Sequence, residues 1–395
     1  MQKDSIVIVS IARTPQGNLL GSLKGVTAPQ LGSTVIKAVI ERAGLTPQDI
    51  KEVIMGCVLP AGLGQAPARQ AALGAGVPVN AGCTTINKMC GSGMKAVMFA
   101  FDILQSEPNT ILVAGGMESM TNAPYLIPKA RQGYRLGSGE ILDHMMYDGL
   151  EDAYEKGKPM GFFAEQCAKE YGFTRVEQDQ FAVTSLERAL KATRDKTFAA
   201  EIVPVTFKTR QGEITVDTDE HPGSVKIEKI PQLPPAFVKD GTVTAANSSS
   251  IADGAAALVL MRQSEAEKRG LKPLAKILAH SSFAKKPSEF TTALIDATKH
   301  LLEKLNWSVE DVDLFEINEA FAVVTMAAMR DLKIPHDKIN IHGGGCALGH
   351  PIGASGARII VTLIAALQQK KLKRGVASLC IGGGEATAVA IEMCI

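Results

Sequence analysis

The amino-acid sequence contains an internal repeat, and this repeat restricts the possible folds more than any other feature. Residues 41–57 align without a gap with residues 303–319. Two further matches follow in the same order and at nearly the same spacing, 92–97 with 355–360 and 116–118 with 383–385. Ordered matches of this kind indicate that the chain is built from two similar halves.

The repeated unit alternates helical patterns with short strands rich in β-branched residues. This alternation is typical of βαβ crossovers and predicts an α/β fold with a mostly parallel sheet covered by helices. Residues 121–247 have no counterpart in the second half, and they include a helical pattern over 177–194. We therefore predict three parts: a first half of residues 1–120 plus 248–271, an inserted domain of 121–247, and a second half of 272–395.

Composition excludes several classes of protein. The 395 residues include 42 Lys and Arg against 41 Asp and Glu, and 46% are hydrophobic, which excludes a disordered chain and a nucleic-acid binder that relies on bulk charge. Inspection for long apolar runs predicts no helix near the ~18 residues needed to span a bilayer, and the N-terminus lacks a signal-peptide pattern. We therefore expect no membrane partner and a cytoplasmic location. Seven cysteines without a Cys-x-x-Cys pair favour reduced thiols over disulfides or a zinc site.

Cys90 has the setting of a catalytic nucleophile. It lies between Asn87-Lys88-Met89 and Gly91-Ser92-Gly93, directly before a helical run over 94–104. A thiol at a helix N-terminus lies near the positive end of the helix dipole, which favours its thiolate. A buried cysteine in a glycine-rich turn gives the same local pattern, so both interpretations stay open at this point.

A second glycine-rich turn, over 342–353, takes the place of the Cys90 turn in the second half. Equivalent turns of two related halves can face one another, which would bring His350 to Cys90 as its general base. His342 is more readily explained as structural, since one base suffices. A phosphate-binding loop is the rival hypothesis, but the Lys-Ser/Thr ending of a P-loop and the G-x-G-x-x-G order are both missing.

Cys380 and Asn318 lie at the carboxyl ends of predicted strands, where open α/β sheets bind their ligands. Cys380 precedes Gly382, whose backbone N–H suits an oxyanion hole as well as a simple tight turn. The Asn318 amide is suited to hold a water molecule or an oxyanion, although a helix N-cap explains it equally well.

The motifs around these residues resemble the signature blocks of the thiolase family. They span 87–93, 318–321, 346–353 and 380–384, with further matches over 62–70 and 241–247. The resemblance covers essentially the whole chain and is greatest to the short-chain thiolases, the acetyl-CoA acetyltransferases. It implies a five-layered α-β-α-β-α sandwich of two similar halves, with the insertion as a loop domain covering the coenzyme A site.

The resemblance also implies a reaction, the reversible Claisen condensation of two acetyl-CoA to acetoacetyl-CoA and CoA through acetyl-Cys90. In this mechanism His350 deprotonates Cys90, and Cys380 removes the α-proton of the second acetyl-CoA. His350, with a water held by Asn318, stabilises the enolate, and the N–H groups of Cys90 and Gly382 bind the oxyanion. The reaction calls for no metal or other cofactor, because coenzyme A is itself substrate and product.

The substrate contacts implied by the resemblance are mostly apolar: Leu150, Met160, Phe237, Ala245, Ser249, Ala320 and Phe321, with Phe290 at the acyl pocket. Pro159 and Gly223 stand where many short-chain thiolases have His and Arg, so we expect the CoA nucleotide to be held differently. A homotetramer built from two dimers is expected, with 122–139 a candidate for the second contact.

Three alternatives remain from the sequence. A degradative 3-ketoacyl-CoA thiolase of broader chain length is the first. A ketosynthase on the same fold would require a Cys-His-His set in place of Cys380. A non-catalytic CoA- or lipid-binding relative should lack a catalytic side chain, and none is missing.

Overall fold

The two halves repeat the same order of elements. The structure is a computed structural model that describes residues 4–394. Its strands are β1 Ile6–Arg13, β2 Gly17–Asn18, β3 Glu52–Gly56, β4 Gly82–Ile86, β5 Leu112–Ser119, β6 Tyr125–Leu126, β7 Leu142–Asp143, β8 Val205–Thr209, β9 Gly212–Val216, β10 Ala252–Arg262, β11 Ala275–Ala284, β12 Leu314–Ile317, β13 Arg374–Ile381 and β14 Glu385–Met393. Its α-helices are α1 Ala28–Arg42, α2 Pro67–Gly74, α3 Ser92–Ser106, α4 Met160–Tyr171, α5 Arg175–Arg194, α6 Glu220–Ser224, α7 Gln263–Lys268, α8 Phe290–Leu305, α9 Ala322–Leu332, α10 Gly345–Leu348 and α11 Ile352–Lys370.

The repeat in the sequence corresponds to repeated structure. The first two matched segments place β3 opposite β12 and α3 opposite α11, and the third lies near the end of β5 in the first half and directly after β13 in the second. In each half these elements pack together, with the helix lying against the neighbouring strands. The prediction of two similar α/β halves is confirmed.

The sheet is mixed, so the prediction of a mostly parallel sheet was wrong. Its strand order is β12-β13-β14-β11-β1-β10-β5-β3-β4. Only β12–β13, β3–β4 and β3–β5 pair in parallel, whereas β14, β11, β1 and β10 form the antiparallel middle of the order. Helices also separate antiparallel strands along the chain, such as α7 between β10 and β11 and α8 after β11, so the alternation of helix and strand does not by itself fix strand direction.

The elements form five layers. Helices α3 and α11 pack on one another between the strands of the two halves, and their apolar side chains form one continuous buried cluster with both sets of strands. Helices α1 and α2 cover the outer face of the first half, and α8 and α9 cover the outer face of the second. The predicted α-β-α-β-α sandwich is confirmed.

Helix α11 contradicts the prediction that no helix is long and apolar enough to span a bilayer. By length and composition it is apolar enough to cross a membrane, but 89% of its most apolar window is buried inside the fold. A helix packed between the strands of the two halves is apolar on nearly every side because, like a membrane helix, it has no side that faces water. Its hydropathy therefore reflects its place in the middle layer.

The segment between β5 and β10 carries the elements that the first half does not share with the second. It contains α4, α5 and α6, the hairpins β6–β7 and β8–β9, and a π-helical turn over Met145–Leu150. Helix α5, predicted over 177–194, begins two residues earlier because Thr174 and Glu177 form a reciprocal capping box.

Candidate active site

Cys90 lies in the turn between β4 and α3, and hydrogen bonds from one serine fix this turn. The Ser92 hydroxyl accepts from the Lys88 N–H at 2.8 Å and donates to the Met89 carbonyl at 2.7 Å. Met89 adopts a left-handed backbone with φ of 47°, which bends the chain directly before the nucleophile. Cys90 remains partly exposed, at the edge of an apolar cluster.

The turn after β13 brings Cys380 and Gly382 against Cys90. The backbone N–H of Gly382 faces the Cys90 thiol, and the Cys380 and Cys90 thiols lie close enough to interact electrostatically. Gly384 has a φ of 89°, and a Cβ there would lie 2.6 Å from the carbonyl oxygens of Lys285 and Lys286. Only glycine therefore permits this tight turn behind Gly382.

Burial raises the pKa of both cysteines, which is the reverse of the effect expected from the helix N-terminus. For Cys90 the loss of solvation is the largest cause, and the N–H groups of Gly382 and Cys90 only partly offset it. For Cys380 burial and the neighbouring Cys90 both raise the pKa well above that of a free thiol. Both groups are therefore thiols at neutral pH, and a base must take their protons during reaction.

His350 is held in the tautomer that a general base needs. Its Nδ1 lies 2.6 Å from the Ser355 hydroxyl, which itself donates to the Pro351 carbonyl at 3.0 Å. Because the serine proton is already committed, Nδ1 must carry the histidine proton and Nε2 is left with its lone pair. Burial lowers the pKa of His350 to about 3, with the charge of Arg358 a second cause, so the ring is neutral.

Asn318 points its amide at this free nitrogen. It follows β12, which pairs in parallel with β13, so the carboxyl ends of the two strands that carry Asn318 and Cys380 lie side by side. Asn318 Nδ2 lies 3.5 Å from His350 Nε2, and its buried Oδ1 has no hydrogen-bond partner among the described residues. That oxygen is suited to accept from a water molecule.

Glu319 holds this side of the site together and was not identified from the sequence. Its buried carboxylate accepts from the Ser185 hydroxyl at 2.7 Å, the Asn340 amide at 2.8 Å and the Cys346 N–H at 3.1 Å. These bonds tie the Asn318 turn to the insertion and to the turn that leads to His350. The Asn-Glu dipeptide was visible as a motif, but only the fold shows what the glutamate contacts.

The expected substrate contacts divide between two apolar clusters. Cys90 packs with Leu150 against a cluster of Val58, Leu59, Met120 and Ile352. The cluster that buries Cys380 includes the remaining expected aromatic and apolar contacts, Phe290, Ala320, Phe321, Met160 and Phe237. Phe290 is only 3% exposed and packs edge-on against Phe163, so its ring is part of the core of the second half.

Three further predicted residues lie around these clusters. The Ser249 N–H donates to the Ala320 carbonyl at 2.9 Å. Ala245 is exposed and, with His221 and Cys346, lines a cavity of about 140 Å³. His342 packs against Phe198 and faces Lys370 and Lys191, which with burial lower its pKa to about 4. Within residues 4–394, no three His, Cys, Asp or Glu side chains are grouped to hold a metal ion.

Comparison with known families gives matches to both halves. The family model for the thiolase N-terminal domain matches residues 6–264, and that for the thiolase C-terminal domain matches residues 271–393. Together they cover nearly the whole chain.

Individual proteins match over their full length. The chain is 48% identical to acetyl-CoA acetyltransferase 1 of Arabidopsis thaliana, covering 99% of this chain and 95% of the plant protein. It is 47% identical to acetyl-CoA acetyltransferase of Cupriavidus necator, covering 98% and 99%. Among solved structures it is similar to the Bacillus anthracis acetyl-CoA acetyltransferase, with a TM-score of 0.96, 42% identity and 99% of each chain covered. The Acat5 thiolase of Ascaris suum, solved with coenzyme A, gives a TM-score of 0.92 at 41% identity, covering 98% of this chain and 100% of that one.

Proposed function

Because the chain belongs to the thiolase family, we propose that it is an acetyl-CoA acetyltransferase that condenses two acetyl-CoA to acetoacetyl-CoA and CoA, reversibly and by a ping-pong mechanism. The observation that carries the proposal is the contact between the turn of Cys90 and the turn of Cys380 and Gly382, which is so close that a Cβ at Gly91 would lie 2.3 Å from the Ile381 methyl group. One cysteine can then carry the acyl group while the other faces the second substrate. The names of relatives that act on acetyl-CoA support the same choice of substrate.

In the first half-reaction the Cys90 sulfur attacks the carbonyl carbon of acetyl-CoA. Since the thiol is protonated at neutral pH, its proton passes to the neutral His350 as the S–C bond forms. The N–H groups of Cys90 and Gly382 stabilise the oxyanion of the tetrahedral intermediate. Its collapse breaks the bond to the CoA sulfur, which takes the proton from His350 and leaves as CoA.

In the second half-reaction the Cys380 thiol first gives its proton to His350 Nε2, and the resulting thiolate removes a proton from the methyl carbon of a second acetyl-CoA. The protonated Nε2 of His350 and the water held by Asn318 stabilise the charge that develops on the thioester oxygen. The enolate carbon attacks the acetyl carbon on Cys90, so that a C–C bond forms and the S–C bond to Cys90 breaks. The Cys90 thiolate then takes the proton from His350, and both thiols and the neutral imidazole are restored. A thioester already acidifies its α-carbon, so the proposed reaction requires no metal or redox cofactor.

We expect the acyl group to be short. Cys90 and Leu150 pack against an apolar cluster that includes Leu59 and Ile352, so the acyl carbon would lie in an apolar environment. We therefore expect acetyl and acetoacetyl groups to be preferred. Cleavage of an octanoyl-length 3-ketoacyl-CoA with equal or higher kcat/KM would instead identify the broader degradative thiolase.

The test is CoA-dependent cleavage of acetoacetyl-CoA, followed by the loss of enolate absorbance. The wild type is compared with Cys90→Ser and Cys380→Ser. We expect an active wild type, loss of at least about 10³-fold in kcat for Cys90→Ser, and a Cys380→Ser variant that still exchanges acetyl groups between acetyl-CoA and labelled CoA. A Cys380→Ser variant that loses acetyl exchange would contradict the assignment of separate roles. A wild type inactive on every 3-ketoacyl-CoA would overturn the function itself.

The proposed assembly is a homotetramer made of two dimers. Residues 125–141 project apolar side chains that the chain itself does not cover, among them Leu136, which is 99% exposed. Exposed apolar groups of this kind are typical of contact surfaces between protein chains.

A further inference from the structure

Glu118 is a fully buried carboxylate that the proposed reaction does not use. It lies at the end of β5 and accepts four hydrogen bonds. Its Oε2 accepts from the N–H groups of Val58 and Gly353, both at 2.9 Å. Its Oε1 accepts from the Leu59 N–H at 3.2 Å and from the Cys57 thiol at 3.6 Å. A buried carboxylate needs hydrogen-bond donors to offset its lost hydration, and these four donors hold the Glu118 side chain in one position.

The four donors come from the segments that carry or line the reacting groups. Val58 and Leu59 form part of the apolar wall beside Cys90. The Val58 carbonyl also accepts from the Asn87 amide at 3.3 Å, in the turn that holds the nucleophile. Gly353 belongs to the first turn of α11, three residues after His350. Glu118 therefore connects the Cys90 side of the site, in the first half, to the His350 side, in the second.

The contact between β5 and α11 leaves no room for adjustment. A Cβ at Gly353 would lie 2.6 Å from Glu118 Oε2, and a Cβ at Gly116 would lie 2.0 Å from the Gly353 carbonyl oxygen. The first turn of α11 therefore packs directly on β5, and Glu118 accepts the Gly353 N–H of that turn. A small shift of this carboxylate must move the helix that follows His350.

We propose that Glu118 is a positioning residue whose carboxylate holds the His350 helix and the Cys90 wall in the arrangement needed for proton transfer. This inference rests on the proposed function. Glu118 does not itself contact substrate in this proposal. It acts through Gly353 and Val58.

The charge state of Glu118 makes the role sensitive to pH. Burial raises its pKa to about 7, although the N–H groups of Val58, Leu59 and Gly353 and the Cys57 thiol lower it. The titratable groups that face it are Cys57, from the end of β3, and Cys90; burial raises the pKa of both, so neither is charged near neutral pH. The neighbouring strand β10 and α11 present Gly254 and Gly353. As pH falls below about 7, a protonated Glu118 accepts these donors less well, and activity should fall with it.

The test compares Glu118→Gln with Asp253→Asn. Asp253 is an equally buried acid on the adjacent strand, and it accepts from the backbone of Met120 and Thr121 rather than from the segments that carry Cys90 or His350. For Glu118→Gln we expect kcat to fall at least about tenfold, with KM for acetoacetyl-CoA changed less than about threefold. We expect the acid limb of the wild-type kcat/KM profile, near pH 7, to disappear in Glu118→Gln and to persist in Asp253→Asn.

A second readout does not depend on turnover. Glu118 raises the pKa of Cys90 through its charge, so Glu118→Gln should speed alkylation of Cys90 by iodoacetamide at neutral pH by about threefold or more, measured on the isolated peptide by mass. This measurement works even if acetoacetyl-CoA proves not to be the substrate, which separates failure of this inference from failure of the proposed function.

Three results would overturn the inference. One is a Glu118→Gln variant with wild-type kcat, acid limb and alkylation rate. Another is an equal loss of kcat in Asp253→Asn, which would indicate a general cost of changing a buried acid. The third result is measured on the wild type and applies even if Glu118→Gln does not fold. A wild-type kcat/KM that stays constant between about pH 6 and 8 would contradict a titrating Glu118.

Discussion

At the scale of single residues, desolvation dominates the electrostatics of the site. A helix N-terminus is worth about 0.3–1 kcal/mol to an anion, less than one pKa unit, whereas full burial shifts a pKa by up to about 3–5 units. This difference explains why the sequence gave the wrong direction for the pKa of Cys90. The position at a helix start is a local property, but the burial depends on the second half. Cys90, Cys380 and His350 are consequently all neutral near pH 7.

The hydroxyl of Ser355 offers a test of the His350 tautomer. Ser355→Ala removes the acceptor of the Nδ1 proton and allows the ring to place its proton on Nε2, where it blocks base catalysis. We expect kcat/KM to fall about tenfold or more, the equivalent of one buried hydrogen bond at 1–3 kcal/mol. Steady-state kinetics of acetoacetyl-CoA cleavage measures this. Ser10→Ala is the control, because the Ser10 hydroxyl is equally buried and has no hydrogen-bond partner among the described residues; an equal loss there would contradict the argument.

At the scale of elements, the sequence predicted those set by local pattern and missed those set by distant contacts. Helix α5 lies within two residues of the predicted bounds. The direction of β10, β11 and β14 was missed, since nothing local distinguishes a parallel strand from an antiparallel one when the connection is long. The pairing of Cys90 with Gly382 also depends on how the halves dock. Family motifs supplied this grouping, which spacing alone left open.

One contact between distant elements joins the turns that carry the two proposed oxyanion donors, the N–H groups of Cys90 and Gly382. Lys88, two residues before Cys90, donates to Glu385, the first residue of β14. Ile381 packs so closely on Gly91 that a Cβ there would lie 2.3 Å from its methyl group. The ion pair thus joins the turn of the nucleophile to the turn of Gly382, across the two halves.

Reversing the charge of Lys88 alone should move the two turns apart. Reversing both charges of the pair should restore the contact between them. The Lys88 and Glu385 side chains are 25% and 40% exposed, so the pair itself is worth at most about 1 kcal/mol. Lys88→Glu places two carboxylates together, and we expect kcat to fall about threefold to tenfold. The double exchange Lys88→Glu with Glu385→Lys should recover most of that loss, measured as a double-mutant cycle in kcat.

The control for this cycle is Lys37→Glu, at an exposed pair with Glu41 on α1 far from the site. It should leave kcat unchanged. If the double exchange is no more active than Lys88→Glu alone, the pair does not set the position of the two turns.

At the scale of the whole molecule, the site exists only where the two halves meet. Cys90 belongs to the first half, whereas His350, Asn318, Cys380 and Gly382 all belong to the second. Helices α3 and α11 begin next to Cys90 and His350 and share one buried cluster, so the core that stabilises the fold is also the support of the catalytic groups. The internal repeat explains this arrangement, because the turns of Cys90 and His350 are equivalent in the two halves and face each other across the middle layer.

The assembly of whole molecules gives the last prediction. Tyr125, Ile127, Leu136 and Ile141 are exposed on and around the small β6–β7 hairpin, outside the layers that hold the catalytic groups. Burying such side chains against a second copy removes apolar surface from water at about 25 cal/mol per Å². Leu136→Asp should therefore weaken one contact of the proposed tetramer without disturbing the site. Light scattering after size exclusion should give four 41.8 kDa chains for the wild type and two for Leu136→Asp, with kcat retained.

The control is Val176→Asp, at an equally apolar exposed position on α5, which should stay tetrameric. A wild type that is already dimeric, or a Leu136→Asp variant that remains tetrameric, would show that this surface does not form the contact.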